Sequence, residues 1–130
     1  MPSIAEQISS HLEFLGYTVR NEGDTIWATH PARLNILIRP TSEGTLFTSF
    51  LQCSDQAKRD RGGYLDFINS MNRKSLVTCF YADADSDLAM SAFYVGDYER
   101  GNFGRFVGLW EHDTQERLLE SRDVALRYLK

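Results

Sequence analysis

Asp83, Asp85 and Asp87 alternate along Asp83-Ala84-Asp85-Ser86-Asp87, the spacing with which an EF-hand calcium loop begins, and carboxylates are hard oxygen donors suited to that ion. The rest of the loop is missing. Counted from Asp83, the sixth residue is Leu88 where glycine is required, and the twelfth is Tyr94 where a bidentate glutamate belongs. A solvated hairpin turn is therefore the expected role, and a small-molecule or metal-sensing domain using Asp83, Asp85 and Asp87 is the alternative reading. His11, His30 and His112 are scattered and form no HxxxH ligand pair, so surface or capping roles are expected of them. Cys53 and Cys79 match no CxxC spacing and read as two reduced, buried thiols. With no G-x-S-x-G elbow, no G-x-G-x-x-G and no Walker loop, the chain is expected not to be an enzyme and to carry no cofactor or metal.

Other residues have types suited to binding. Gly101, Gly104 and Gly108 fall at i, i+3 and i+7, one stripe of a helix, where small residues let another backbone approach closely; the alternative is a segment that starts as a loop. Arg33, Arg39, Lys58, Arg59 and Arg61 form either a basic patch or a solvated charged rim. Trp27, Ile36, Ile38, Phe47 and Phe50 lie in predicted strands, and those that point away from the helices of a one-sheet domain form a candidate interaction surface.

The elements that must position these residues follow from periodicity. Ser3 and Glu6 have capping-box spacing, Ile4, Ile8, Leu12 and Leu15 recur at helical intervals, and Gly16 ends the helix. A meander follows: Tyr17 to Arg20 and Thr25 to Thr29 around the Asn21-Glu22-Gly23-Asp24 turn, then Leu34 to Ile38 and Leu46 to Leu51, separated by Pro40 and Ser42-Glu43-Gly44. A second helix begins between Ser54 and Gly63 and carries Tyr64, Leu65, Phe67, Ile68 and Met71. A hairpin comes next, Leu76 to Ala82 and Leu88 to Val95. Asn102 or Asp97 caps a third helix with Phe103, Phe106, Val107 and Trp110 on its packing face, and Thr114 to Lys130 either continues it or forms a fourth.

The chain has 130 residues, 42% hydrophobic and 25% charged, which predicts one domain over 1–130. Fourteen basic against 18 acidic residues, a net charge of −4, argue against nucleic acid as partner, since binders of phosphate backbones carry a basic excess. No apolar run approaches the roughly 20 residues that cross a bilayer, and Met1-Pro2-Ser3-Ile4-Ala5-Glu6 lacks the regions of an export signal, so a cytoplasmic protein with no membrane partner is expected.

The succession of a helix, antiparallel strands, a helix carrying Leu65-Asp66-Phe67-Ile68-Asn69 and ending at Asn72, the hairpin strands Leu76 to Tyr81 and Ala89 to Tyr94, and a closing helix resembles the YbjN family, from Ile4 to about Leu119. The resemblance implies a type III secretion chaperone-like fold: α+β, a single antiparallel sheet of about five or six strands with helices on one face, in the order α-β-β-β-β-α-β-β-α. It further implies a non-catalytic, protein-binding role, chaperone-like or regulatory in bacterial sensory transduction or stress, and a homodimer, with no catalytic or cofactor-binding residue to carry over. The extra helical tail departs from the secretion chaperones.

Overall fold

In the computed structural model, which describes residues 2–130, Ser3 caps the first helix, α1 (Ile4–Phe14), its Oγ accepting the Glu6 backbone N–H at 3.1 Å. Gly16, at φ +98°, turns the chain out of α1 in a conformation that a side chain would strain. The strands β1 (Thr18–Glu22), β2 (Thr25–Thr29), β3 (Ile36–Pro40) and β4 (Gly44–Leu51) then form a meander. Two helices follow, a short α2 (Asp55–Arg59) and α3 (Arg61–Lys74), divided at Asp60, whose carboxylate caps α3 by accepting the Gly63 N–H. The hairpin β5 (Cys79–Ala82) and β6 (Leu88–Val95) inserts so that β6 lies against β4, giving the order β1-β2-β3-β4-β6-β5 with every pair antiparallel. The chain ends with α4 (Arg100–Glu111), a π-helical turn at His112–Glu116, α5 (Arg117–Glu120) and α6 (Arg122–Tyr128).

This is the expected α+β architecture with one antiparallel sheet, here six-stranded, and three differences of detail. The segment before Asp60 is the separate helix α2, and α3 starts at Arg61. The closing stretch is not one helix, because the π turn and the break at Ser121 divide it. The strand expected from Leu76 starts only at Cys79, since the N–H groups of Leu76, Val77 and Thr78 go to the Asp113 carboxylate instead of a ladder.

One face of the sheet is covered. Ile26 and Ala28, Ile36 and Ile38, Phe47, Phe80, and Leu88, Met90, Ala92 and Tyr94 point into the core, where they meet Ile8 and Leu12 of α1, Tyr64, Phe67 and Met71 of α3, and Phe103, Phe106, Val107 and Trp110 of α4. Phe47 is the hub: its ring stands edge-on to Phe103, Phe106 and Trp110 at centroid separations of 5.8, 5.0 and 5.6 Å. Asn72, at the end of α3, completes edge strand β5 by donating to the Phe80 carbonyl and accepting its N–H. The C-terminus is stitched to the β4–α2 link, with the Ser54 N–H on the Tyr128 carbonyl and the Lys130 N–H on that of Gln52.

Candidate functional site

Because side chains alternate across a strand, burying Ile36 and Ile38 forces Leu37 to the other side, and the register carries that choice through the sheet. Trp27 stands opposite Leu37, Leu37 opposite Thr48, Leu46 between Arg39 and Phe93, and Ala89 between Phe50 and Tyr81. These residues make an outer face that no helix covers. Phe50 is 53% exposed, Tyr81 43%, Phe93 42% and Val95 78%. Shallow depressions of about 420 and 190 Å³ flank Phe50, the first reaching Trp27 and Leu34 and the second Leu46 and Arg39. The one ion pair on this face joins Arg20 and Glu22 at 2.9 Å, leaving Arg39 free of an ion pair among the described residues.

Of the candidates read from the sequence, Trp27 and Phe50 lie on the open face. Ile36, Ile38 and Phe47 do not: all three are fully buried, which corrects their inclusion in an interaction surface. Leu37, Leu46, Tyr81, Phe93 and Val95 were missed. Periodicity had no means of finding Leu37, Phe93 and Val95, because β3 and β6 are apolar on both faces and lack the polar alternation that marks an outside.

The glycine stripe divides. Gly101 lies in the first turn of α4, where Glu99 is the cap in place of Asn102 or Asp97; its carboxylate accepts the Gly101 and Asn102 N–H groups, which holds its pKa below the usual value. Gly104 faces His11, and an added Cβ would sit 3.5 Å from the imidazole; Gly108 faces open space. Only Gly104 meets a neighbouring element, so the three do not form one helix-packing groove.

The acidic hairpin gathers Asp83, Asp85 and Asp87, with one oxygen from each inside 4.8 Å. Much of their bonding capacity is used internally. Asp83 Oδ1 accepts the N–H groups of Asp85 and Asp87, Asp87 Oδ1 accepts that of Cys53, and Ser86, at φ +69°, is held by Arg61 and by the Tyr64 hydroxyl on its carbonyl. Burial pushes the Tyr64 phenol up to about 12. Cys53 is buried, and burial first, with the Asp87 carboxylate second, raises its thiol pKa and keeps it protonated. Cys79 is exposed on β5, contrary to the expected burial. His30 accepts the Ala32 N–H, His112 pairs with Glu116 at 2.7 Å, and His11 bonds the Tyr98 hydroxyl at 2.8 Å. The basic residues are dispersed: Arg33 pairs with Glu111, Arg39 lies on the open face, and Arg61 bonds Ser86.

Asp113 is the polar residue that sequence reading overlooked. It is fully buried in the π turn, and its carboxylate accepts three successive N–H groups, Leu76 at 2.9 and 3.0 Å, Val77 at 2.8 Å and Thr78 at 3.0 Å. A π turn places one extra residue in the helix, and here Asp113 and Thr114 are both buried. The result is a carboxyl group held in a backbone nest that joins the α3–β5 link to the end of α4.

The YbjN family, described as "Putative bacterial sensory transduction regulator", matches residues 5–117, from α1 to the start of α5. The chain belongs to the YbjN family. A crystal structure of YbjN from E. coli, described as a putative transcription regulator, superposes with a TM-score of 0.76 at 15% identity, covering 99% of this chain and 96% of that one. The YbjN fold is therefore shared across the whole chain, α5 and α6 included. No curated protein matches the sequence.

Proposed function

We propose that this YbjN-family protein is a non-catalytic, cytoplasmic regulator that acts by binding polypeptide, and that a second copy of the chain is one occupant of its binding surface. The observation that carries the reading is the open face of the sheet, where Phe50, Tyr81, Phe93 and Val95 stand in water beside Trp27, Leu37 and Leu46. Large aromatics gathered on an uncovered face are interface anchors, and a stable interface needs about 800 Å² from each partner, an area that a six-stranded face can supply. The family's description as a regulator agrees with a binding role.

The test is Phe50→Ser combined with Phe93→Ser, with light scattering on the native and variant chains at micromolar concentration. The expected result is a native dimer and a folded variant near the 14.9 kDa monomer mass. A native protein that stays monomeric at high concentration, or a variant that dimerises as tightly as the native chain, refutes self-association through this face.

A further inference from the structure

A second surface lies away from the centre of the open face. The loop Pro31–Leu34 and the helices α5 and α6 enclose an open groove of about 480 Å³, within the roughly 300–1,000 Å³ of ligand-binding clefts. Its walls are apolar, with Leu34, Leu118 and Ala125 half-buried along it and Leu119 and Leu126 exposed at the rim by 69% and 65%. Its charge is one-sided. On a chain of net charge −4, the only charged residues lining the groove, among the described residues, are Arg33 and Arg122. Arg33 is neutralised by Glu111, whereas Arg122 is exposed and has no ion-pair partner among the described residues.

We propose that this groove binds an amphipathic helix of a partner protein, its apolar stripe seated between the Pro31–Leu34 loop and α6 and an acidic residue paired with Arg122. The groove is open to solvent, so it fits an occupant that keeps one face in water, as an amphipathic helix does, better than a lipid chain, which needs enclosure. The unpaired arginine selects the sign of the occupant's charge, because an apolar helix flanked by lysine would bring like charges together at the rim. The same argument disfavours a second copy docked groove to groove, which would place Arg122 near its own symmetry mate.

The probe is a synthetic amphipathic helix with leucines at i, i+3, i+4 and i+7 and glutamates flanking them, compared with a peptide carrying lysine at the glutamate positions. Calorimetry is expected to show the glutamate peptide binding, weakening as salt rises, and losing about tenfold in affinity on Arg122→Gln. Leu126→Glu and Leu119→Glu, both at exposed positions, are each expected to abolish binding while leaving the melting temperature unchanged. The Phe50→Ser, Phe93→Ser variant is expected to bind the peptide as the native chain does, which separates this groove from the open face. Failure of the glutamate peptide to bind, equal binding of the lysine peptide, indifference to Arg122→Gln, or loss of binding in the open-face variant alone would each overturn the proposal.

Discussion

The two faces of the sheet are built from the same residue types and have opposite fates. On β4, Phe47 is fully buried under three aromatic rings of α4, while Phe50, three residues on, is 53% exposed. On β6, Tyr94 packs against Phe103 and Phe106, while its neighbour Phe93 is exposed on the other side. Hydrophobicity does not distinguish these pairs; what lies above each face does. The covered face stabilises the fold, and the open face leaves its apolar area in water.

The sharpest way to break this comparison is to truncate one phenylalanine on each side. Phe47→Ala is expected to cost about 3–5 kcal/mol, because it removes a packed ring and leaves a cavity among Phe103, Phe106 and Trp110. Phe50→Ala is expected to change monomer stability by less than about 1 kcal/mol, since the residue stays 53% exposed and its truncation leaves no enclosed cavity. Urea denaturation of both variants measures the difference, and equal losses would show that the outer face is also structural.

Next in size is Asp113→Asn, which tests how the helical layer is fastened over the covered face. All three N–H groups reach Oδ2 and that of Leu76 also reaches Oδ1, so an amide that keeps its oxygen toward the three donors turns its NH₂ group against the Leu76 N–H, replacing one hydrogen bond by a donor–donor contact. The expected loss is about 1–3 kcal/mol. Hydrogen exchange at Leu76, Val77 and Thr78 should accelerate in the variant while β3 and β4 stay protected.

A pH titration sharpens the same contrast. Burial first, and the charge of Arg100 second, lower the pKa of His11 below its ordinary 6.5, while Tyr98 bonds the ring. The unfolded chain then binds this proton more tightly than the folded one. The His11 contribution is fully present above pH 6.5 and is lost as the pH falls through the range below it. Thermal melts between pH 7.5 and 5 should show this decline, and His11→Gln should flatten it. Asp60 and Glu99, whose pKa values are also lowered, act at more acidic pH, with stability lost only as those carboxylates protonate below their ordinary values of 3.8 and 4.5.

The smallest effect has the opposite sign. Gly108 lies in α4 with nothing within 4 Å of an added Cβ, so Gly108→Ala is expected to stabilise by about 0.5–1 kcal/mol and to raise the melting temperature. Loss of self-association in that variant would return the outer surface of α4 to the list of interfaces.

Much of the fold was legible in local patterns. The α1 cap and its Gly16 stop, the β1–β2 hairpin, whose turn is tighter than the expected Asn21-Glu22-Gly23-Asp24 because Asn21 and Glu22 pair within the strands, the β5–β6 hairpin and the Phe103, Phe106, Val107, Trp110 stripe all rest on interactions within one or two turns of chain, and all are present. The candidate site was legible only in part. Trp27 and Phe50 were identified with Ile36, Ile38 and Phe47, yet the two groups occupy opposite sides of the sheet. Cys79 was placed inside although β5 is an edge strand that leaves it exposed.

The amino-acid order by itself determined most of the segments that become helix or strand and where the chain turns, because propensity, capping and periodicity act between near neighbours; the single antiparallel sheet was an expectation carried by the family resemblance. Only the tertiary structure decided which side of β3, β4 and β6 faces the helices, since Ile36-Leu37-Ile38 and Leu88-Ala89-Met90 are apolar in both directions and parity is set by strands far away in sequence. It also decided the role of Asp113, whose three N–H donors lie 35 to 37 residues earlier in the chain. The groove beside Arg122 arises in the same way, because α6 and the loop before β3 come together only after the chain has folded.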